Sequence, residues 1–297
     1  MIQADERIPH LAGTAADPQR ASQYLREFEH RHPALLKELA RDDERSLWLV
    51  TVFSFSRFLS EELLRHPEWL SGVADVHRPI TADDYKRRLS EFPVTGGASA
   101  TAFDLALFRR RELLRAVIRD ALDLAPLPEI NEELSNLPDA ILDTALDGVI
   151  QDARARHGSP LTDDGTGPQA AFTVLALGKL GGRELNYSSD IDLMFLYSGN
   201  GETSGPQKIT NKEFFKKVAN QYTTLLSTYT PAGVGYRVDL RLRPEGSLGE
   251  VCMPLAAVKD YYSKRARDWE LQMLIKARVA AGDPAAGEEL LAFVEPL

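Results

Sequence analysis

Residues 171–197 constrain the fold more than any other stretch. Within Ala171 to Tyr197, two apolar runs flank a polar segment that carries glycines. Both runs are rich in strand-forming residues. The second opens on Asp190-Ile191-Asp192. Side chains alternate across a strand, so the two aspartates share a face and Ile191 points the other way. At about 3.3 Å of rise per residue the two carboxylates stand about 7 Å apart along the strand, a spacing suited to a shared pair of hard divalent cations.

Bulk properties narrow the class. A chain of 297 residues favours two domains over one, and 43% apolar with 27% charged residues suits a globular protein with a substantial core. The net charge of −9 argues against coating nucleic acid or an anionic membrane. One cysteine, Cys252, excludes an intrachain disulfide and a multi-cysteine zinc site, and reads as a small core residue. None of the six histidines has metal-ligand spacing with another. The start, Met1-Ile2-Gln3-Ala4-Asp5-Glu6, lacks the apolar core of a secretion signal, and no stretch is apolar for long enough to span a bilayer. The expected location is the cytoplasm.

The first part of the chain reads as helical. Gln19 to His32 forms one amphipathic helix, and Ser46 to Arg65 a second, apolar nearly all round and stopped by Pro67, as suits the inside of a bundle. Thr81 to Glu91 starts with an N-cap residue and acids in its first turn. Gly96-Gly97-Ala98-Ser99 reads as a loop, and Thr101 to Leu122 as a long helix with Arg109-Arg110-Arg111 in its middle. That triplet serves either as a solvated face pairing with nearby acids or as a site for a phosphate or an acidic partner. Asp139 to His157 is another helix, and residues 158–168 a loop. Helix gives way to mixed structure near residue 128, which sets the expected boundary between a helical region, 1–128, and a second domain, 129–297. The expected class is α+β, mostly helical overall.

Beyond residue 197, residues 199–207 read as a polar turn, and Thr210-Asn211-Lys212-Glu213 has the form of a capping box opening a helix to about Leu226. Gly235 to Gly246 then alternates cleanly: Val238, Leu240 and Leu242 face one way, and Arg237, Asp239, Arg241 and Arg243 the other. Leu255 to Val279 reads as mainly helical, with Trp269 and Tyr262 as core residues, and a short helix ends the chain at Gly287 to Phe293. In that helical reading Lys276 and Arg278, two apart, do not point the same way.

A strand face of one acid among three guanidinium groups is hard to explain as packing. If Asp239 joins Asp190 and Asp192, three carboxylates can hold two magnesium ions while the arginines neutralise a polyphosphate through planar forks. Two-metal phosphoryl or nucleotidyl transfer uses this arrangement. A surface salt-bridge ladder, with Asp190 capping a turn, is the alternative. Gly178-Lys179-Leu180-Gly181-Gly182-Arg183-Glu184-Leu185 is no P-loop, since Gly-x-x-x-x-Gly-Lys-Ser/Thr is absent, but its glycines can let backbone amides approach a triphosphate. Ser188 and Ser189 either donate to phosphate or cap the turn.

A strand, a glycine-bearing turn, Asp-x-Asp opening a second strand and a third aspartate on a later strand resemble the nucleotidyltransferase superfamily related to DNA polymerase beta. Gly178 through Leu193, Arg237 through Gly246, and Arg267-Asp268-Trp269-Glu270 with Leu274-Ile275-Lys276-Ala277-Arg278 are similar to three blocks of the glutamine synthetase adenylyltransferase / adenylyl-removing enzyme family. The likeness is looser over Ser46 to Leu70 and Phe103 to Leu122. The resemblance implies a mixed-sheet polymerase beta-like domain behind a helical one, in a bifunctional regulator of glutamine synthetase. In that family one domain attaches AMP to a tyrosine of the synthetase and the other removes it by phosphorolysis, giving ADP. This chain carries one such domain, begins with methionine and resembles the N-terminal, adenylyl-removing part. Carried over, Asp190, Asp192 and Asp239 are the catalytic residues and hold Mg²⁺, and Gly181, Gly182 and Ser189 contact phosphate. Lys179, Arg237 and Arg241 complete the expected ATP/ADP site, although Lys179 stands where the superfamily commonly has serine. The implied partners are glutamine synthetase and a PII signal protein, with no nucleic acid or membrane. ATP-dependent adenylylation, or a non-catalytic module that binds nucleotide or PII, are the alternatives.

Overall fold

A strand with no exposed side chain needs cover on both faces, and the two apolar runs receive it. In the computed structural model, which describes residues 4–94 and 100–296, all six residues of Phe172–Leu177 are buried, and so is all of Ile191–Tyr197 except Asp192. The loop expected at Gly96-Gly97-Ala98-Ser99 lies outside the described residues. The chain divides into two compact units, residues 1–79 with 110–133 and residues 80–109 with 134–297.

The first unit is helical. Its elements are α1 (Ala4–Thr14), α2 (Pro18–Arg31), α3 (Pro33–Leu39), α4 (Asp43–Phe55), α5 (Arg57–Arg65) and α6 (Glu68–Gly72). The single helix expected from Ser46 to Arg65 is two. Ser56 adopts extended backbone, and its hydroxyl accepts from the Leu59 N–H at 3.2 Å, so it ends α4 and caps α5. His66 caps the far end of α5. After α7 (Ala82–Ser90) come two long helices shared between the units, α8 (Ala102–Ala121) and α9 (Leu127–His157). The division within α9 falls between Glu133 and Leu134, one turn before Pro138. Proline has no N–H to give the carbonyl four residues back.

A buried ionic cluster holds the first unit. Arg115, Arg119 and Glu133 are each 1% exposed. Both guanidinium groups donate to the Glu133 carboxylate, and they also reach the carbonyls of Ala74 (3.1 Å) and Val76 (2.8 Å). Desolvated charges persist only when paired and fully hydrogen-bonded.

The second unit carries the sheets. In chain order its remaining elements are β1 (Pro160–Thr162), β2 (Phe172–Leu177), α10 (Gly178–Gly181), β3 (Ile191–Tyr197), β4 (Gly201–Thr203), α11 (Asn211–Ser227), β5 (Val238–Asp239), β6 (Cys252–Pro254), α12 (Leu255–Lys264), α13 (Asp268–Gln272), β7 (Arg278–Gly282) and α14 (Pro284–Val294). Strands β1 and β4 form a small antiparallel ribbon inside the stretches expected to be loop and turn. The main sheet runs β5-β3-β2-β7, and β6 also pairs with β3. Strand β2 is antiparallel to both neighbours, while β5 and β6 run parallel to β3 along successive parts of one edge. The class is therefore α+β with a mixed sheet and helix predominant.

One sheet face packs Leu175, Leu177, Met194 and Leu196 against Val258, Tyr262 and Leu290 of α12 and α14. The other stacks Phe172 and Tyr197 on Phe215 of α11, with ring centroids 5.5 and 4.9 Å apart, and Tyr222 donates to the Leu142 carbonyl at 2.9 Å. Thr210 and Glu213 form the expected capping box of α11. Cys252 is buried, and burial pushes its thiol up to about 12.

Three further sequence expectations differ from the structure. Leu255 to Val279 is not one helix: it breaks after α12, and Arg278 enters β7 because Leu175 and Ala176 need partners on the open side of β2. Trp269 is half exposed instead of core, while Tyr262 is buried as expected. The alternating strand from Arg237 to Arg243 is reduced to Val238–Asp239. Among the described residues no helix is long and apolar enough to cross a membrane.

Removing the Glu133 carboxylate strands two buried guanidinium groups. Glu133→Ala is expected to cost about 3–5 kcal/mol, read as a lowered urea midpoint with its slope unchanged. A loss no larger than that of an exposed-site control contradicts this reading.

Candidate active site

The site lies where β3 and β5 begin to pair. Ile191 donates its N–H to the Arg237 carbonyl at 3.0 Å, and the parallel register then matches Ile191 with Val238 and Asp192 with Asp239. Two acids 47 residues apart in sequence thus become lateral neighbours on one sheet. Asp190 stands one residue before β3.

Two arginines restrain the acids. The Arg237 guanidinium donates to Asp190 and to the Ser188 carbonyl at 3.0 Å. Asp239 accepts the Arg241 N–H at 2.8 Å and the same residue's Nε on both oxygens, at 3.0 and 2.8 Å. A carboxylate that takes the N–H two residues on makes an Asx turn. This turn ends β5 and curls Arg241 back on Asp239, which breaks the alternation. Arg243 leaves the face too: it donates to the carbonyls of Leu240, Gly249 and Glu250 at 2.7, 3.0 and 3.1 Å and organises the loop after the strand.

Electrostatics separate the three acids. Burial raises Asp192 above its ordinary value, and the neighbouring Asp239 and Asp190 charges raise it further. Asp239 is lowered, first by the Arg241 side-chain hydrogen bonds. Among the described residues no three His, Cys, Asp or Glu side chains stand together as a metal-ligand group, and Asp190 and Asp239 are each paired with an arginine. The donor set itself, three carboxylates with mutual repulsion felt at Asp192, suits a hard divalent cation.

The glycine segment closes the site from the β2 side. Gly178 has φ +53°, and a Cβ there would meet a carboxylate oxygen of Asp192 at 2.5 Å. Only glycine lets this backbone lie against the acid. Gly178 opens the expected glycine loop but is not among the expected site residues. The signal is the antiparallel pairing of Leu177 with Asp192, which puts the next residue beside the carboxylate. A Cβ on Gly181 would meet the Lys276 and Ala176 carbonyl oxygens at 2.4 and 2.8 Å, and one on Gly182 the Lys276 side chain at 2.9 Å. Lys276 reaches Glu184 at 2.7 Å, and Arg278 ties Asp139 (2.8 Å) to the Leu180 carbonyl (3.0 Å). The third sequence block therefore clamps the glycine loop. Lys179 is exposed and pairs with no acid among the described residues. The Ser189 hydroxyl donates to the Asn186 side chain at 2.6 Å within the turn.

The arginine triplet divides. Arg110 pairs with Glu62 at 2.8 Å and Arg111 with Glu112 at 2.7 Å, as nearby acids would predict. Arg109 instead donates to the Tyr187 carbonyl at 2.9 Å and lies 4.7 Å from the ring centroid of buried Tyr236. Burial pushes the Tyr236 phenol up to about 12, so it stays neutral.

The family model described as "Glutamate-ammonia ligase adenylyltransferase" matches residues 46–293. The chain is similar to proteins named bifunctional glutamine synthetase adenylyltransferase/adenylyl-removing enzyme. It is 38% identical to that of Thioalkalivibrio sulfidiphilus over 84% of this chain and 26% of the relative. For the Nitrosococcus oceani protein the values are 38%, 84% and 26%. For that of Shewanella woodyi they are 32%, 98% and 30%. The chain thus spans between a quarter and a third of the length of these relatives.

Folded Asp192 keeps its proton to higher pH than an unfolded aspartate, whose ordinary value is 3.8. The native state therefore binds more protons between the two values, and stability falls as pH rises through that window. Asp192→Asn removes the repulsion, so its urea midpoint is expected to exceed wild type at pH 7, with the gain vanishing below the carboxylate range. A midpoint at or below wild type at pH 7 contradicts this.

Proposed function

The chain belongs to the glutamate-ammonia ligase (glutamine synthetase) adenylyltransferase family, and from that premise we propose that Asp190, Asp192 and Asp239 catalyse adenylyl transfer on glutamine synthetase, in the phosphorolytic direction. The observation that carries the reading is the β3–β5 register, which sets Asp192 beside Asp239, whose charge helps to raise Asp192. An antiparallel β2–β3 pair bearing the Asp-x-Asp, with the third aspartate on an adjoining parallel strand, supports a polymerase beta-like nucleotidyltransferase domain over residues 129–297. Of the expected helical region, 1–128, residues 80–109 belong to the sheet-bearing unit.

The substrate is an AMP–tyrosine phosphodiester. A phosphate oxygen bonds to the AMP phosphorus, the bond from that phosphorus to the tyrosine oxygen breaks, and the phenolate takes up a proton as ADP forms. Asp190, Asp192 and Asp239 would hold two magnesium ions, which supply activation of the attacking oxygen and steady the leaving one. The exposed guanidinium groups of Arg237 and Arg241 exchange their carboxylate partners for phosphate oxygens. Lys179, Gly181, Gly182 and Ser189 form the loop that faces the nucleotide. Family resemblance supplies the regulatory partner, a PII-type signal protein.

The names of the relatives carry both directions, so ATP-dependent adenylylation is the second reading. Incubation with AMP-labelled glutamine synthetase, phosphate and magnesium is expected to release labelled ADP, and Asp192→Asn to bring release to background. Transfer of label from ATP onto the synthetase, with none released by phosphate, favours the second reading. Undiminished release by Asp192→Asn rejects the site.

A further inference from the structure

Next to the acids lies a pocket of about 190 Å³ lined by Arg109, Tyr187, Ser188, Ser189, Tyr236 and Arg237, with Val234 and Gly235 at its edge. It is far smaller than the roughly 300–1,000 Å³ that drug-sized ligands occupy, so it admits a small ion and not a nucleoside. Two guanidinium groups and two serine residues line it. The acid that accompanies them is Asp190, already paired with Arg237, which leaves the pocket with an excess of positive charge. Arg109 Nε is buried and has no hydrogen-bond partner among the described residues. A buried N–H on a cation is costly unless something accepts from it. The rest of that guanidinium is fixed by the Tyr187 carbonyl and the Tyr236 ring, which leaves it a rigid fork at the pocket wall.

We propose that this pocket is the phosphate subsite, where Arg109 and Arg237 hold the inorganic phosphate that attacks the adenylylated tyrosine. This rests on the phosphorolytic reading. In that reaction the attacking phosphate becomes the β-phosphate of ADP, so the same pocket holds orthophosphate before the step and the ADP β-phosphate after it. The α-phosphate and nucleoside belong to the carboxylates and the glycine loop. Arg109 therefore separates ligands that carry this phosphate, orthophosphate and ADP, from AMP, which does not. It shares α8 with Arg110 and Arg111, which pair with acids, and of the triplet it alone lines this pocket.

The test is calorimetric titration of the whole chain with orthophosphate, ADP and AMP, for wild type, Arg109→Ala and Arg109→Lys, with urea midpoints to verify folding. Arg109→Ala is expected to weaken orthophosphate and ADP about tenfold or more, the scale of one charge-assisted hydrogen bond, while AMP is unchanged. Arg109→Lys, which keeps the charge but loses the fork, falls between. Where Arg109→Ala does not fold, Arg109→Lys carries the same comparison. Equal weakening of AMP and ADP, or unchanged orthophosphate binding, overturns the subsite. Binding needs no turnover, so a chain that binds phosphate through Arg109 yet releases no ADP keeps the subsite and rejects the proposed reaction. In the active enzyme Arg109→Lys is expected to raise the KM for phosphate and leave that for the adenylylated synthetase unchanged.

Discussion

The pairing of β3 with β5 is the constraint on which the site depends. It spans two residues on each strand, yet it alone sets Asp239 beside Asp192. Burial raises the proton affinity of Asp192 first, and the like charges of Asp239 and Asp190 beside it raise it further. The strain is tolerable because the strand bearing Asp192 is otherwise buried on both faces, between the α12–α14 layer and the aromatic stack of α11. Apolar burial of that extent, at about 25 cal/mol per Å², offsets an unfavourable cluster of acids at one end of the sheet.

Arginine does different work in different surroundings. Arg115 and Arg119 are buried around Glu133 and have become structure, while Arg243 is spent on loop carbonyls. Arg237 and Arg241 lie largely in solvent on their carboxylates. Exposed ion pairs contribute little to stability, so little would be lost if these two exchanged their acids for a better acceptor. Arg109 differs from all of them in holding a buried N–H without a partner.

Much of the fold was legible because its signals are local. The two apolar runs, the capping box at Thr210 and Glu213, and the helices α2, α8 and α14 follow from periodicity and cap chemistry. The convergence of Asp239 also came from pattern, though for an incomplete reason: clean alternation suggested a long strand, whereas an Asx turn ends it after two residues. What escaped the sequence is tertiary. Arg278 lies in a segment with helical periodicity, but the open edge of β2 takes it as a strand. Gly178 acquires its meaning only when β2 and β3 are placed in register. Trp269 carries the composition of a core residue and stands half exposed, which nothing in its own sequence neighbourhood signals.

Asp190, Asp192 and Asp239 are proposed to act as one cation site. Calorimetric titration of the whole chain with Mg²⁺, for wild type and Asp239→Asn, measures this most directly. Saturable binding by wild type that Asp239→Asn loses is the predicted result. Equal binding by the two proteins, or none by wild type in the presence of ADP, would contradict it.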